Sequence, residues 1–120
     1  MDAEVIDLRS VNPLNYDKLV ASIKKTGKVV LINEAVERGN VMHNIAANIS
    51  QFCFDYLDAP PVVIGARNWV SPAAELESKY FPQTSWILDS IHERIMPLKG
   101  YTPTSNRSLG ELQRINTLGV

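Results

Sequence analysis

The sequence predicts an α/β fold in which helices cover both faces of a mainly parallel sheet, giving three layers, with the sheet short of strands. Three observations carry this. Apolar β-type runs alternate with helical periods along the chain, the order of strand–crossover–strand units. The run at residues 28–33 (KVVLIN) is apolar almost throughout, as a strand covered on both faces must be. The 120 residues amount to one domain, and 45% hydrophobic and 21% charged residues with 6 Gly and 7 Pro place it in the globular range.

Residues 4–9 (EVIDLR) alternate and read as the first strand. Pro13 ends that segment, since it lacks an N–H and biases Asn12 away from helix. Asn15 is the expected N-cap of a helix, with Asp17 near the positive end of its dipole. Tyr16, Leu19, Val20 and Ile23 give that helix one apolar stripe, Lys24 and Lys25 suit its last turn, and Gly27 suits the left-handed residue beyond. The second strand is 28–33, followed by a polar loop at 34–39. Val41, Ile45, Ile49, Phe52, Cys53 and Tyr56 trace the longest helix over residues 40–57, which Asp58-Ala59-Pro60 stops. Residues 61–66 (PVVIGA) form the third strand, whose leading Pro is tolerable at a first position. A short helix is expected at 74–80. A last helix follows, with Ile87, Ile91 and Ile95 as its stripe, Thr84 or Ser85 as its cap and Pro97 as its end. Within the Gly-, Pro-, Ser- and Thr-rich tail, a helical turn is expected at 109–115.

Charge and cysteine usage narrow the function classes. Twelve Lys+Arg against 13 Asp+Glu give a net charge of -1, without the basic excess of a nucleic-acid binder. The longest uncharged apolar runs, near residues 28–33 and 59–66, are too short to cross a bilayer. The start Met1-Asp2-Ala3-Glu4 is acidic where a secretory signal is basic, so a cytoplasmic location is expected. Cys53 has no second cysteine to pair with, and His43 and His92 are too far apart for a helical His pair. No metal site is expected.

No catalytic constellation emerges. The segment after the second strand, Glu34 to Asn40, has one Gly and two carboxylates, which is not a dinucleotide fingerprint. Asp7 is placed like the phospho-acceptor of a receiver domain but lacks the companion acidic residues and Lys, so a strand residue facing solvent or a partner is favoured. Cys53 lies among apolar helix positions and reads as core rather than nucleophile. His43 sits near a helix start, where the dipole disfavours protonation, and reads as a surface or interface residue. His92 reads as an ordinary helix side chain. Glu75 and Glu77 have no nearby base to make an acid/base pair. Trp69, Trp86, Tyr80 and Phe81 fit either core capping or a binding patch.

Several segments, in order, resemble the C-terminal domain of the β part of thiamine-dependent 2-oxo-acid dehydrogenases, a domain of the transketolase C-terminal type. Residues 3–13 (AEVIDLRSVNP) are similar to the family's EVIDLR-x-x-x-P. Residues 26–35 (TGKVVLINEA) are similar to its TG-x-x-V-V-x-HEA, and Gly39 with 45–47 to its Gly-rich helix start. Residues 54–60 (FDYLDAP) match FDYLDAP, and Pro72, Leu76, Glu77, Tyr80 and Pro82 match P-x-x-x-LE-x-x-Y-x-P. Two departures stand out. The family's His is Asn33 here, and its GGFG-x-E becomes Gly39-Asn40-Val41-Met42-His43-Asn44, which loses two glycines and a carboxylate.

The resemblance covers residues 3–97 and implies a partial transketolase C-terminal-like domain at 1–97 with an extension at 98–120. It also implies that an antiparallel strand, a parallel strand and a helix are absent, the parallel strand belonging between residues 4–9 and 28–33. The chain is therefore expected to be a piece of a larger enzyme. The look of the tail suggests the branched-chain type with fused α and β parts. The resemblance implies no thiamine ligand on this chain, with thiamine diphosphate and magnesium held elsewhere in the parent. Expected partners are the remaining domains of the decarboxylating component, the acyltransferase core and a second copy of the chain. The candidate subunit-interface residues are Glu34, Ala35, Arg38, Gly39, His43, Trp69 and Tyr80. The alternative is a free-standing interaction module of the same fold.

Overall fold

The computed structural model describes residues 1–104. The helical turn expected at 109–115 lies outside them. The elements are α1 (Tyr16–Thr26), β1 (Val30–Val36), α2 (Val41–Cys53), a 3-10 turn (Phe54–Tyr56), β2 (Val62–Ala66), a second 3-10 turn (Ala74–Leu76), α3 (Glu77–Tyr80) and α4 (Thr84–Arg94). The architecture is α/β with a small parallel sheet, as the sequence predicted: β1 and β2 pair in parallel, joined by the crossover helix α2.

Leu31 and Val63 are register partners and enter one apolar cluster with Leu19 and Ile23 of α1 and Met42, Ile45, Ile49 and Cys53 of α2. The alternate residues of β2, Val62, Ile64 and Ala66, are also buried. Here α4 lies against β2 and contributes the buried Trp86. Alternation along β2 thus serves both of its faces. By contrast, Ile32 on β1 remains 44% exposed.

The ends of α1 and the start of α2 show how far local rules carry. Gly27 takes the left-handed conformation (φ 70°) after α1, and its N–H donates to the Ile23 carbonyl at 2.8 Å. Glycine suits the positive φ, and a Cβ there would also lie 2.3 Å from an Asp58 carboxylate oxygen, which would have to swing aside. Asp58 in turn donates its N–H to the Gly27 carbonyl at 2.7 Å, and its carboxylate meets Lys28 Nζ at 3.1 Å. The turn at Asp58 is therefore seated on the end of α1. Asn15 does occupy the N-cap of α1, but its side chain makes no capping hydrogen bond. At α2 the N-cap is Asn40, whose side-chain oxygen accepts from the Met42 N–H at 2.8 Å.

Other expectations change. Residues 4–9 are not a strand: Ile6 and Leu8 pack against the core cluster, but no ladder partner lies beside their backbone among the described residues. Alternation can bury one side of such a segment, whereas a strand also needs a neighbour for its N–H and C=O groups. β1 starts two residues later than expected and runs three further, through Glu34, Ala35 and Val36, with a bulge between Ile32 and Val36. The buried row of α2 is Met42, Ile45, Ile49 and Cys53. Val41, Phe52 and Tyr56 flank that row on the exposed side, with Phe52 edge-on to Tyr16 at 5.5 Å.

The stripe of α4 is rotated from the expected one. Its buried residues are Trp86, Asp89 and Ser90, while Ile87, Ile91 and Ile95 are half-buried, and Gln83 rather than Thr84 or Ser85 is the N-cap. Trp86 is the largest side chain available to cover β2, and turning it inward carries in the residues three and four positions later. A buried carboxylate needs hydrogen-bond partners. Asp89 takes them from the chain beyond the helix, accepting from the Tyr101 hydroxyl at 2.6 Å and the Thr104 N–H at 3.1 Å.

Truncation should separate core from surface in this arrangement. Ile45→Ala is expected to lower stability by about 2–5 kcal/mol, and Phe54→Ala by no more than about 0.5 kcal/mol, read as urea midpoints. Equal losses would contradict the burial described.

Candidate functional site

The C-terminal ends of β1 and β2 and the start of α2 come together around a bulge. Ile32 pairs with Ile64 and Val36 with Ala66, so three residues of β1 (33–35) stand opposite Gly65 alone. The crowding there explains the glycine. A Cβ on Gly65 would lie 2.6 Å from the Ala35 carbonyl oxygen and 2.8 Å from the Glu37 Cα. The Glu37 N–H donates to the Ala66 carbonyl at 2.9 Å and resumes the pairing beyond the bulge.

Asn40 secures this corner. While its oxygen caps α2, its amide nitrogen donates to the carbonyls of Val36 at 2.8 Å and Glu37 at 3.1 Å and approaches Asn33 Oδ1 at 3.3 Å. His43 Nε2 reaches the same Glu37 carbonyl at 2.8 Å. Across the gap, Asn68 Oδ1 accepts from the Arg38 N–H at 2.8 Å. Glu37, Arg38, Gly39, His43 and Asn68 line a cavity of about 260 Å³. Gly39 has φ 72°, and the space beside it is open.

The candidate interface residues divide. Arg38, Gly39 and His43 share the cavity. Glu34 and Ala35 lie on the bulge and are exposed. Trp69 and Tyr80 belong to a neighbouring cluster built on Arg67. Its guanidinium lies 4.8 Å from the Trp69 ring and 5.0 Å from the Trp86 ring, its Nε donates to the Lys79 carbonyl at 2.8 Å, and its backbone N–H donates to the Tyr80 carbonyl at 3.0 Å. Such cation–π contacts hold a planar cation between aromatic faces. Tyr80 and Trp86 are buried, Trp69 is 40% exposed, and Phe81 is edge-on to Tyr80 at 4.9 Å. The four aromatics thus divide too: Tyr80 and Trp86 belong to the core, and Trp69 reaches the surface.

Glu37 and Asn68 escaped the sequence reading. Asn68 lies two residues beyond β2, where a polar residue directly after an apolar run was the available signal. Cys53 is wholly buried and free. Among the described residues, no group of three or more His, Cys, Asp or Glu side chains is placed to hold a metal ion. No described helix is long and apolar enough to cross a membrane.

The corner therefore supplies shape, backbone hydrogen-bonding groups and two basic side chains, with no nucleophile beside a base. If Asn40 both caps α2 and secures the bulge, its two roles can be separated. Asn40→Asp retains the capping oxygen and loses the donated bonds, whereas Asn40→Ala loses both. The alanine variant is expected to cost about 1–2 kcal/mol more in urea denaturation than a solvent-facing Asn→Ala control such as Asn44→Ala, with the aspartate variant between them.

Comparison with known proteins agrees with this architecture. The sequence profile of the family described as "Transketolase, C-terminal domain" matches residues 1–87. The chain is 36% identical over 92 residues to the pyruvate dehydrogenase E1 component subunit beta of Rhizobium meliloti (strain 1021), which covers 76% of this chain and 20% of that protein. It is 33% identical over 93 residues to the subunit of the same name from Bacillus subtilis (strain 168), covering 78% of this chain and 29% of that one. With the Rickettsia felis subunit beta the identity is 35% over 92 residues, 76% of this chain and 28% of that protein. The chain spans a fifth to under a third of the length of these relatives. Parallel β1 and β2, the crossover helix between them and a profile match over most of the length lead to one assignment: the chain belongs to the transketolase C-terminal domain family.

Proposed function

We propose that this chain is the C-terminal assembly domain of the beta part of a 2-oxo-acid dehydrogenase decarboxylating component. Its parent carries out thiamine-dependent oxidative decarboxylation of a 2-oxo acid and passes the acyl group to a lipoyl group. The relatives' names, subunits of a pyruvate dehydrogenase E1 component, support the enzyme context. The branched-chain type and fused α and β parts rest on the tail alone, and residues 105–120 of it lie outside the described structure.

The observation that carries an assembly role is the edge of β1. This strand has the apolar composition of a sheet centre, yet β2 is its one ladder partner among the described residues. Ile32 and Val36 stay partly exposed, and Val5 in the unpaired segment 4–9 is 92% exposed. An apolar strand edge with free N–H and C=O groups invites another strand. In the parent enzyme this edge meets the remaining portion of the same sheet. In isolation it pairs with a second copy. The candidate residues Glu34, Ala35, Arg38, Gly39, His43 and Trp69 extend this surface from the bulge around the corner, with Tyr80 supporting it from the core. The acyltransferase core is the further partner this reading assigns to the assembled enzyme.

This corner is not built as a thiamine diphosphate site. The cavity of about 260 Å³ is below the roughly 300–1,000 Å³ common for ligands of that size, and Glu37 is the one carboxylate on its rim. A magnesium–diphosphate group needs several oxygen ligands. The reading is tested in two arms on the 120-residue chain. Calorimetric titration with thiamine diphosphate and magnesium is expected to show no binding, and sedimentation is expected to show association at tens of micromolar. Micromolar cofactor affinity, or a monomer throughout, would refute it.

A further inference from the structure

Beyond α4 the chain doubles back. Residues 98–104 return along the helix and are fastened to it at two places one turn apart. The Leu98 N–H donates to His92 Nδ1 at 2.9 Å. Further on, the Tyr101 hydroxyl and the Thr104 N–H both donate to Asp89 Oδ1, and the Tyr101 ring sits 5.5 Å from the His92 ring. Asp89 is wholly buried under this strap. None of these contacts involves β1, the bulge or the cavity, so the strap is independent of the assembly reading.

We propose that residues 98–104 form a strap whose attachment to α4 is switched by pH, closed while His92 is neutral and released at its Leu98 end when His92 gains a proton.

The geometry gives the sign. A backbone N–H can only donate, so the Nδ1 facing Leu98 must carry a lone pair, which places the proton of the neutral ring on Nε2. Protonation puts a hydrogen on Nδ1 as well and leaves two donors face to face. Either the ring or the strap must then move. Imidazoles change charge between about pH 5 and 8, so the bond is present at the alkaline end of that window and lost as the pH falls.

The charged and titratable groups on the elements that meet here are Asp89, Glu93 and Arg94 on α4, Lys99 and Tyr101 on the strap, and Arg67, whose guanidinium lies over Trp86 of the same helix. None of these groups alters the sign of the switch, because no charge converts the Leu98 N–H into an acceptor. The second fastening does not depend on His92. The hydrogen bond to Asp89 holds the Tyr101 proton and raises the phenol's pKa above its ordinary value, with desolvation and the Asp89 charge adding to this. That contact is therefore lost only at strongly alkaline pH, opposite in direction to the His92 switch.

Residue-resolved amide hydrogen exchange on the 120-residue chain is the test, with each amide corrected for its intrinsic pH dependence. Between about pH 8 and pH 5 the protection of the Leu98 amide is expected to fall about fivefold or more, the factor that one net hydrogen bond contributes. The core amides of Ile45 and Ile49 should stay constant. His92→Asn places a side-chain oxygen the same number of bonds from the backbone as Nδ1. Since this acceptor does not titrate, the variant should keep Leu98 protected and lose the pH step. His92→Phe has no acceptor and should leave Leu98 unprotected throughout, with the core amides again unchanged. A flat profile in the native chain, or a step that persists in His92→Asn, overturns the proposal.

Discussion

The packing of Ile45 and Ile49 of α2 onto Leu31 and Val63 holds two strands in parallel that the sequence separates by 25 residues, Val36 to Val62. A parallel pair cannot be closed by a tight turn, so its register is set by what covers it. Here the cover is the crossover helix itself, and burying each such side chain contributes about 1.5–3 kcal/mol relative to leaving it in water. Shifting α2 by one turn would misplace Asn40, and with it the bulge, the cavity and the path of residues 66–69. The candidate site therefore inherits its shape from an apolar seam that none of its own residues enters.

Two small features convert that seam into a defined corner. Gly65 permits three residues of β1 to pass opposite one residue of β2, and Asn40 uses both the donor and the acceptor side of its amide to keep them there. Of the side chains around this corner, Glu34 is exposed, whereas His43 reaches the Glu37 carbonyl and the Arg38 backbone is held by Asn68. A backbone fixed in this way beside exposed side chains supports the joining role proposed above. The open flank of β1 fits the same picture, since a strand this apolar is made to lie inside a sheet.

How far the sequence revealed this depended on how local each signal was. Gly27 and the long amphipathic helix were readable because a helix end and a 3.6-residue period are set within a few residues. The conjunction of Gly27 and Lys28 with Asp58 was not, because a contact across 30 positions or more leaves no mark in either segment. Residues 4–9 show why alternation alone is insufficient: it records a buried side but not a hydrogen-bonded neighbour. The bulge was hidden for a related reason, being a property of two strands read together. α4 misled because Ile87, Ile91 and Ile95 make a better apolar stripe than Trp86, Asp89 and Ser90. The latter face wins where Trp86 covers β2 and Asp89 finds partners, Tyr101 and Thr104 among them. Of the residues the sequence named as candidate interface positions, Arg38, Gly39 and His43 line one cavity, whereas Asn68 beside them required the end of β2 to be located first.

The central claim is that the free edge of β1 is a joining surface. Its most direct measurement is amide hydrogen exchange across β1 at protein concentrations below and above the association midpoint. The account predicts that protection of the residues from Val30 to Ile32 rises selectively as the chain associates, while the helical amides of α2 hold steady. Association that leaves those β1 amides unchanged and protects another face instead would contradict it.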